Sequence, residues 1–281
     1  MTFISVLNSF LSVAAFLGNA LILIFLHKES SLHPPSKLLL RCLAATDLCV
    51  GIISEPLFVN YCMSIANEHW NMFRYASAAA STTASIFCGV SVLTVTAISV
   101  DRLLALLLGL RYKQVVTLKR TYVIVIAIWV VCTVCSATQF LNRLITLWCA
   151  SKVTSLCLVI PIFSYTKIFL TLRHHQNEIQ DHVQQPNQTN QLSIARYKKA
   201  VATVIWLQLT LVACYLPVII VAVLTSFSRS SSHLFYAWNY TSTLVYLNSS
   251  LNPILYCWKI EEVRQAVKNT IRQVLCLCFS S

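Results

Sequence analysis

Charge is what this chain lacks most. Only 11% of its 281 residues are Asp, Glu, Lys or Arg, against about 25% in a typical soluble protein. The deficit is concentrated. Residues 3–26, 75–100, 121–142, 200–228 and 234–258 carry no charge, residues 42–62 carry only Asp47 and Glu55, and residues 144–166 carry only Lys152. With 57% hydrophobic residues and a mean hydropathy of +0.69, a soluble globular fold is excluded. Period-2 alternation over 9–11 residues, the mark of a membrane barrel, is also missing. No internal or inverted repeat is present, which speaks against a transporter. No nucleophile–base set or metal-ligand spacing argues for an enzyme. No basic segment precedes the first apolar run, and that run is too long for a signal peptide. Twelve cysteines are present, but most lie inside apolar runs, so they do not form a disulfide scaffold.

What remains is an all-α membrane protein. A spanning helix needs about 20 mostly apolar residues, and seven runs qualify. The expected spans are approximately 3–26, 38–62, 75–106, 119–141, 144–172, 196–226 and 234–257. A short amphipathic eighth helix over 259–272 follows, and the whole chain is one seven-helix domain. The longest polar segment, about 174–194, links the fifth and sixth spans and has no fold of its own. Arg74, Arg143, Lys152 and Arg229 fall on one side of this map, and the other 17 of the 21 Lys and Arg fall on the opposite side or its interface. The basic side is cytoplasmic, which puts the amino terminus outside and the carboxyl terminus inside. The formal charge of +12 then reflects topology and anionic-lipid contact. Nucleic acid is a poor partner for basic residues spread over four separate segments.

Polar groups inside the spans carry the specific information. A charge at the bilayer centre costs at least about 2.5–3.5 kcal/mol on insertion scales. Asp47 and Asn19 lie mid-span, Ser91 lies 11 residues before Arg102, and Asn248 and Asn252 share a helical face. If these five converge they form a polar pocket, read either as a site for a small hard cation such as Na+ or as a hydrogen-bonded network that joins helices. Pro253 sits inside the last apolar run, between Asn252 and Tyr256. A proline there frees a carbonyl that lipid cannot solvate, so a neighbouring helix must supply the donor. Asp101-Arg102 ends the third span, read either as an arginine snorkelling to headgroups or as a functional pair.

Taken together these residues resemble the rhodopsin-like (class A) G-protein-coupled receptors, and the resemblance covers nearly the whole chain. Gly18-Asn19 looks like the first-helix GN motif, Leu43-Ala44-Ala45-Thr46-Asp47 like LAxxD, and Trp70 with Phe73 like the first-loop tryptophan motif. Asp101-Arg102-Leu103 looks like DRY, Trp129 matches the fourth-helix tryptophan, and Tyr165 matches the fifth-helix tyrosine. Cys214-Tyr215-Leu216-Pro217 resembles CWxP, and Asn252-Pro253-Ile254-Leu255-Tyr256 is NPxxY unaltered. The resemblance implies a plasma-membrane receptor that passes an extracellular signal to a heterotrimeric G protein through movement of the sixth and seventh helices. Asp101 and Arg102 would hold the inactive state and then engage the G protein. Tyr165 and Tyr256 would swing inward, and Pro217 and Pro253 would be the kinks about which the helices move. Asp47, Ser91, Asn248 and Asn252 would form an allosteric sodium site, with no other cofactor implied.

The departures are specific. Tyr215 stands where most members have tryptophan, and Leu103 where most have tyrosine. Ser77 occupies the place of the third-helix cysteine, and Cys157 that of the fifth-helix proline. These absences and a vanishing second external loop are similar to melanocortin-type receptors, although Ser77 and Ser81 stand where those receptors carry acids. Ala84 and Tyr246 replace the aminergic aspartate and the opsin lysine, so neither ligand class is expected. The ligand is unknown; Glu55, Phe87, Cys88, Tyr215 and Tyr246 are the candidate cavity lining. Cys276 and Cys278 follow the eighth segment as a palmitoylation candidate. A constitutively active or decoy receptor without its own ligand is the alternative, and a transporter or channel a weaker one.

Overall fold

The structure, a computed structural model, describes residues 1–28, 32–142, 146–160, 162–163, 166, 188–227 and 232–259; the side chains of residues 106, 110, 188–204, 207 and 256–259 are not described. Tyr165, Cys276, Cys278, the Tyr256 side chain and the eighth helix beyond residue 259 therefore lie outside the described residues. Seven long helices account for most of the rest. They are α1 (Thr2–Lys28), α2 (Pro34–Ala66), α3 (Trp70–Leu108), α4 (Leu118–Ala137), α5 (Thr146–Ile160), α6 (Gln188–Phe227) and α7 (Ser232–Lys259). Five have segments long and apolar enough to cross a bilayer: α1, α2, α3, α4 with the turn after it, and α6 from Gln208. The described part of α5 is apolar but shorter. α7 has the length, and its lower hydropathy comes from the Asn, Ser and Thr residues of its buried face.

The helices outrun the apolar spans. α3 has 39 residues, about 58 Å at 1.5 Å per residue, against roughly 30 Å of hydrocarbon. The helix, from Trp70 to Leu108, is thus longer than the apolar layer is thick. A 3₁₀ turn, Thr138–Phe140, follows α4, and the Thr138 and Thr146 hydroxyls meet at 2.9 Å, so α4 and α5 join through a very short connection.

α7 lies between α1 and α6, α2 packs on α1, α3 and α4, and α3 also meets α4 and α6. α5 is tied to its neighbours by Thr96 Oγ1 donating to the Cys157 carbonyl at 3.3 Å and Gln208 Nε2 to the Leu158 carbonyl at 3.4 Å. The polarity is inverted relative to a soluble bundle. Asn8, Asn19, Asp47, Thr94, Asn248 and Asn252 are buried, while Phe10, Val13, Leu17, Val123, Ile126 and Val130 are exposed. Such an exposed apolar belt is stable only against lipid.

Two prolines in the spans are matched by donors from α1. In α2, residues Val50–Ser54 form a π turn, so Glu55 N–H donates to the Val50 carbonyl five residues back. In that register Pro56 would serve the Gly51 carbonyl but has no N–H. The Ser12 hydroxyl of α1 donates to that carbonyl instead, at 2.6 Å. Gly51 permits the approach, because a Cβ there would lie 2.9 Å from the Ser12 carbonyl oxygen. In α7, Pro253 leaves the Ser249 carbonyl without its helical donor, and Asn19 Nδ2 supplies one at 3.0 Å. Beside it, a Cβ on Gly18 would sit 2.9 Å from the Pro253 ring. Gly18 makes room for the ring, and Asn19 satisfies the carbonyl that the ring frees.

Asn19→Leu leaves that buried carbonyl unpaired, a cost of about 1–3 kcal/mol. The expected outcome is a lower thermal unfolding midpoint for the purified protein in detergent, with Gly18→Val falling as well; a parent-like midpoint for both variants rejects this account of the α1–α7 contact.

Candidate functional site

Asp47 is fully buried near the middle of α2, just before the π turn. Its Oδ1 accepts hydrogen bonds from Ser91 Oγ of α3 at 3.1 Å and Ser249 Oγ of α7 at 2.9 Å, and its Oδ2 accepts from Asn252 Nδ2 of α7 at 2.6 Å. One carboxylate thus joins three helices. Asn248 is buried one turn before Asn252, and both its side-chain polar atoms lack a hydrogen-bond partner. Asn19 does not join this carboxylate; its amide serves the α7 backbone and the Ala15 carbonyl. The structure therefore brings Ser91 and Asn252 onto Asp47, leaves Asn248 unpaired alongside, and adds Ser249. Ser249 lies three residues before Asn252, on the same face, and that spacing is the signal that finds it.

The second centre lies at the Arg102 end. Asp101 Oδ2 accepts from Arg102 Nη2 at 2.8 Å and from Ser36 Oγ of α2 at 2.9 Å. Its Oδ1 accepts from the Tyr112 hydroxyl at 2.6 Å. Tyr112 opens the short helix Tyr112–Val115 after α3 and packs on His33 with ring centroids 5.1 Å apart. Burial, and then the hydrogen bond to Asp101, push the Tyr112 hydroxyl up to about 12, so it stays a donor at neutral pH. Charge-assisted bonds to one carboxylate are the strong class of hydrogen bond, and together they clamp α2, α3 and the turn after α3. Sequence alone does not reveal Ser36 or Tyr112, because each bond crosses to another element.

Four of the five expected cavity residues have partners within the bundle. The Tyr215 hydroxyl donates to the Cys88 carbonyl at 3.4 Å. Tyr246 packs on Phe58 at 5.1 Å, and Phe87 meets Trp129 of α4 edge-on at 6.1 Å. Glu55 is fully buried beside the π turn, and neither carboxylate oxygen has a partner. Pro217 lies inside α6, one turn beyond the Cys214-Tyr215 pair. Trp70 and Phe73 sit in the first turn of α3 rather than in a loop, with centroids 6.0 Å apart. Asn239 is buried within α7 and its Nδ2 donates to the Phe235 carbonyl.

Residues 18–256 match the family described as "7 transmembrane receptor (rhodopsin family)". The chain belongs to this family. It is therefore a class A G-protein-coupled receptor, a multi-pass membrane protein of signal transduction and not an enzyme. It is similar to human melanocortin receptor 3, at 25% identity over 95% of this chain and 84% of that protein. It is also similar to human adenosine receptor A2b, at 26% identity over 95% and 88%. A third relative is the high-affinity lysophosphatidic acid receptor of Xenopus laevis, at 24% identity over 90% and 77%. The two carboxylate centres thus belong to a receptor of this family.

Among the described residues every cysteine is free, including Cys62, Cys135 and Cys149 toward the Trp70 end. The receptor is therefore expected to keep its thermal midpoint in dithiothreitol. A large drop, reproduced by Cys62→Ser, would expose a disulfide at that end.

Proposed function

We propose that this receptor sits in the plasma membrane with its amino terminus outside, and that an extracellular ligand shifts α6 and α7 so that the Arg102 end admits a heterotrimeric G protein. The observation that carries the proposal is the Asp101 cluster, in which one buried carboxylate holds Arg102, Ser36 and Tyr112 together. Such a cluster is a bistable element. It is complete in the packed state and must come apart before Arg102 turns to a partner. Pro217 in α6 and Pro253 in α7 are the breaks in the helical ladder about which the ends move. The relatives are named for unlike ligands at comparable identity, so no ligand class is carried over.

Cells or membranes carrying Arg102→Ala are expected to lose ligand-stimulated nucleotide exchange on the G protein while surface expression persists. Tyr112→Phe removes one bond of the clamp and is expected to raise exchange without ligand. Undiminished exchange by the first variant rejects the coupling role. A second reading, a constitutively active or decoy receptor, is favoured by the Tyr215–Cys88 hydrogen bond and the Phe58–Tyr246 ring contact where a ligand cavity is expected. Exchange that is high, or absent, whichever candidate ligand is supplied would support it.

The Asp47 centre suits an allosteric Na+. The unpartnered Asn248 Oδ1, one turn from Asn252, adds an oxygen to a carboxylate and two serine hydroxyls, the donor type an oxygen-lined cation site needs. Asp47, Ser91, Ser249 and Asn248 would hold the ion, which would supply positive charge that keeps α2, α3 and α7 packed. Agonist affinity is then expected to fall as NaCl replaces a bulky organic cation at constant ionic strength, which controls for screening. Asp47→Asn is expected to abolish the dependence. Equal sodium sensitivity in variant and parent counts against the site.

A further inference from the structure

α5 is held from two sides at consecutive carbonyls. Thr96 Oγ1 of α3 donates to the Cys157 carbonyl at 3.3 Å, and Gln208 Nε2 of α6 donates to the Leu158 carbonyl at 3.4 Å. The two acceptors differ in what their own helix offers them. In a helix the Cys157 carbonyl would take the N–H four residues on, and residue 161 is a proline. Proline has no N–H in any conformation. The Thr96 hydroxyl is therefore a required partner, as the Asn19 amide is for Ser249. The corresponding residue for the Leu158 carbonyl is Ile162, which carries an N–H. The Gln208 bond is therefore additional, and losing it does not strand the carbonyl. The proline that most family members carry at position 157 stands one turn later here, and that shift creates the difference.

Gln208 is also unusual within α6. It is the one amide side chain in residues 200–228, and it is buried with its Oε1 unpartnered. An amide in an apolar run is costly unless it is bonded, and across helices such a bond joins the pair. A reversed amide would set Oε1 against the Leu158 carbonyl, so Nε2 is the atom that faces it. Tyr215 is the second α6 side chain that bonds across, to the Cys88 carbonyl of α3 at 3.4 Å. The two bonds differ in leverage. Tyr215 precedes Pro217 by two residues, about 3 Å along the axis, and Gln208 precedes it by nine, about 13 Å. Displacement in a pivot grows with distance from the break. A tilt at Pro217 that leaves the Tyr215 bond in place pulls Gln208 off Leu158.

We infer that Gln208 is the positioning residue that latches the segment of α6 before Pro217 to α5, while Thr96 pins α5 to α3 through the carbonyl that Pro161 leaves open. α3 and α5 are then the fixed post, and the α6 segment is the part that comes away. The inference rests on the reading that α6 moves during activation, and it names the bond that this movement breaks. At 3.4 Å the bond is at the long end of the hydrogen-bond range. It holds the resting position weakly enough for a ligand to release it.

The test uses the full-length receptor in phosphatidylcholine nanodiscs. Gln208→Met keeps the chain length and the helix propensity and removes the donor. Backbone hydrogen exchange in α6 before Pro217 is expected to quicken by roughly twofold to tenfold, the scale of one lost hydrogen bond, with α7 unchanged. Nucleotide exchange on the G protein without ligand is expected to rise by a similar factor. Thr210→Val, whose hydroxyl bonds only within α6, should move neither. Thr96→Val is expected to lower the thermal midpoint, and to lower it clearly less in a Pro161→Ala background, where residue 161 regains its N–H. Parent-like hydrogen exchange in Gln208→Met overturns the inference. So does quickening throughout the bundle, because Gln208 would then support the whole fold, and so does an equal effect of Thr96→Val in both backgrounds. Quickened hydrogen exchange in α6 without any rise in nucleotide exchange keeps the latch and tells against the coupling reading instead.

Discussion

The amide of Asn19 donating to the carbonyl of Ser249 is the contact on which the arrangement of α1 and α7 depends. In water a proline-freed carbonyl is solvated at little cost. In hydrocarbon it must be met by protein. Pro253 therefore cannot be accommodated by α7 alone, and the helix that meets it has to come close. Gly18 allows the approach, Asn19 supplies the donor, and Asn8 with Thr243 and Ser250 with the Leu11 carbonyl extend the same interface toward the Trp70 end. The bond is short-range and specific where the apolar contacts around it are neither. Lipid tails compete equally for every Leu and Val, so packing of apolar surface does not select a partner helix, whereas polar satisfaction does.

The same rule explains why α2 is irregular. A regular α2 carrying Pro56 would leave one carbonyl in lipid without a donor. The π turn places that vacancy at Gly51, the residue beside which the Ser12 hydroxyl can stand. The extra residue in that turn also rotates everything that follows, so Glu55 and Phe58 present a different face from the one that continues the register of Asp47. Asp47 consequently faces α3 and α7, and Glu55 is sealed near Tyr246 and Phe58 with no partner for its carboxylate.

The bundle was legible in the sequence, and the polar contacts that join its helices were legible only in part. Charge-free runs mark helices because lipid tolerates little else, and Asp47, Arg102 and Pro253 stand out because each is expensive where it lies. Gly18 and Asn19 read as a motif, but their physical task depends on Pro253, which sits in the last helix. Ser249, Ser36 and Tyr112 are chemically ordinary and draw no notice until another helix brings a carboxylate to them. The π turn is equally silent, since hydropathy averaged along α2 does not change when five residues close a turn in place of four. Asn19 illustrates the opposite error: a polar residue at mid-membrane depth suggests the polar pocket, yet the backbone of α7 claims it first.

Two carboxylates of similar burial end with different tasks because of where their donors come from. Asp47 takes all three of its hydrogen bonds from side chains on α3 and α7, both of which cross the apolar layer, so its bonds oppose any sliding of these helices at mid-depth. Asp101 takes its bonds from Arg102 beside it, from the start of α2, and from a short helix outside the spans. The Arg102 side chain is partly exposed, so opening the Asp101 cluster exchanges protein partners for solvent, whereas opening the Asp47 cluster strands polar groups in a dry interior. The Asp101 cluster is therefore the less costly of the two to open.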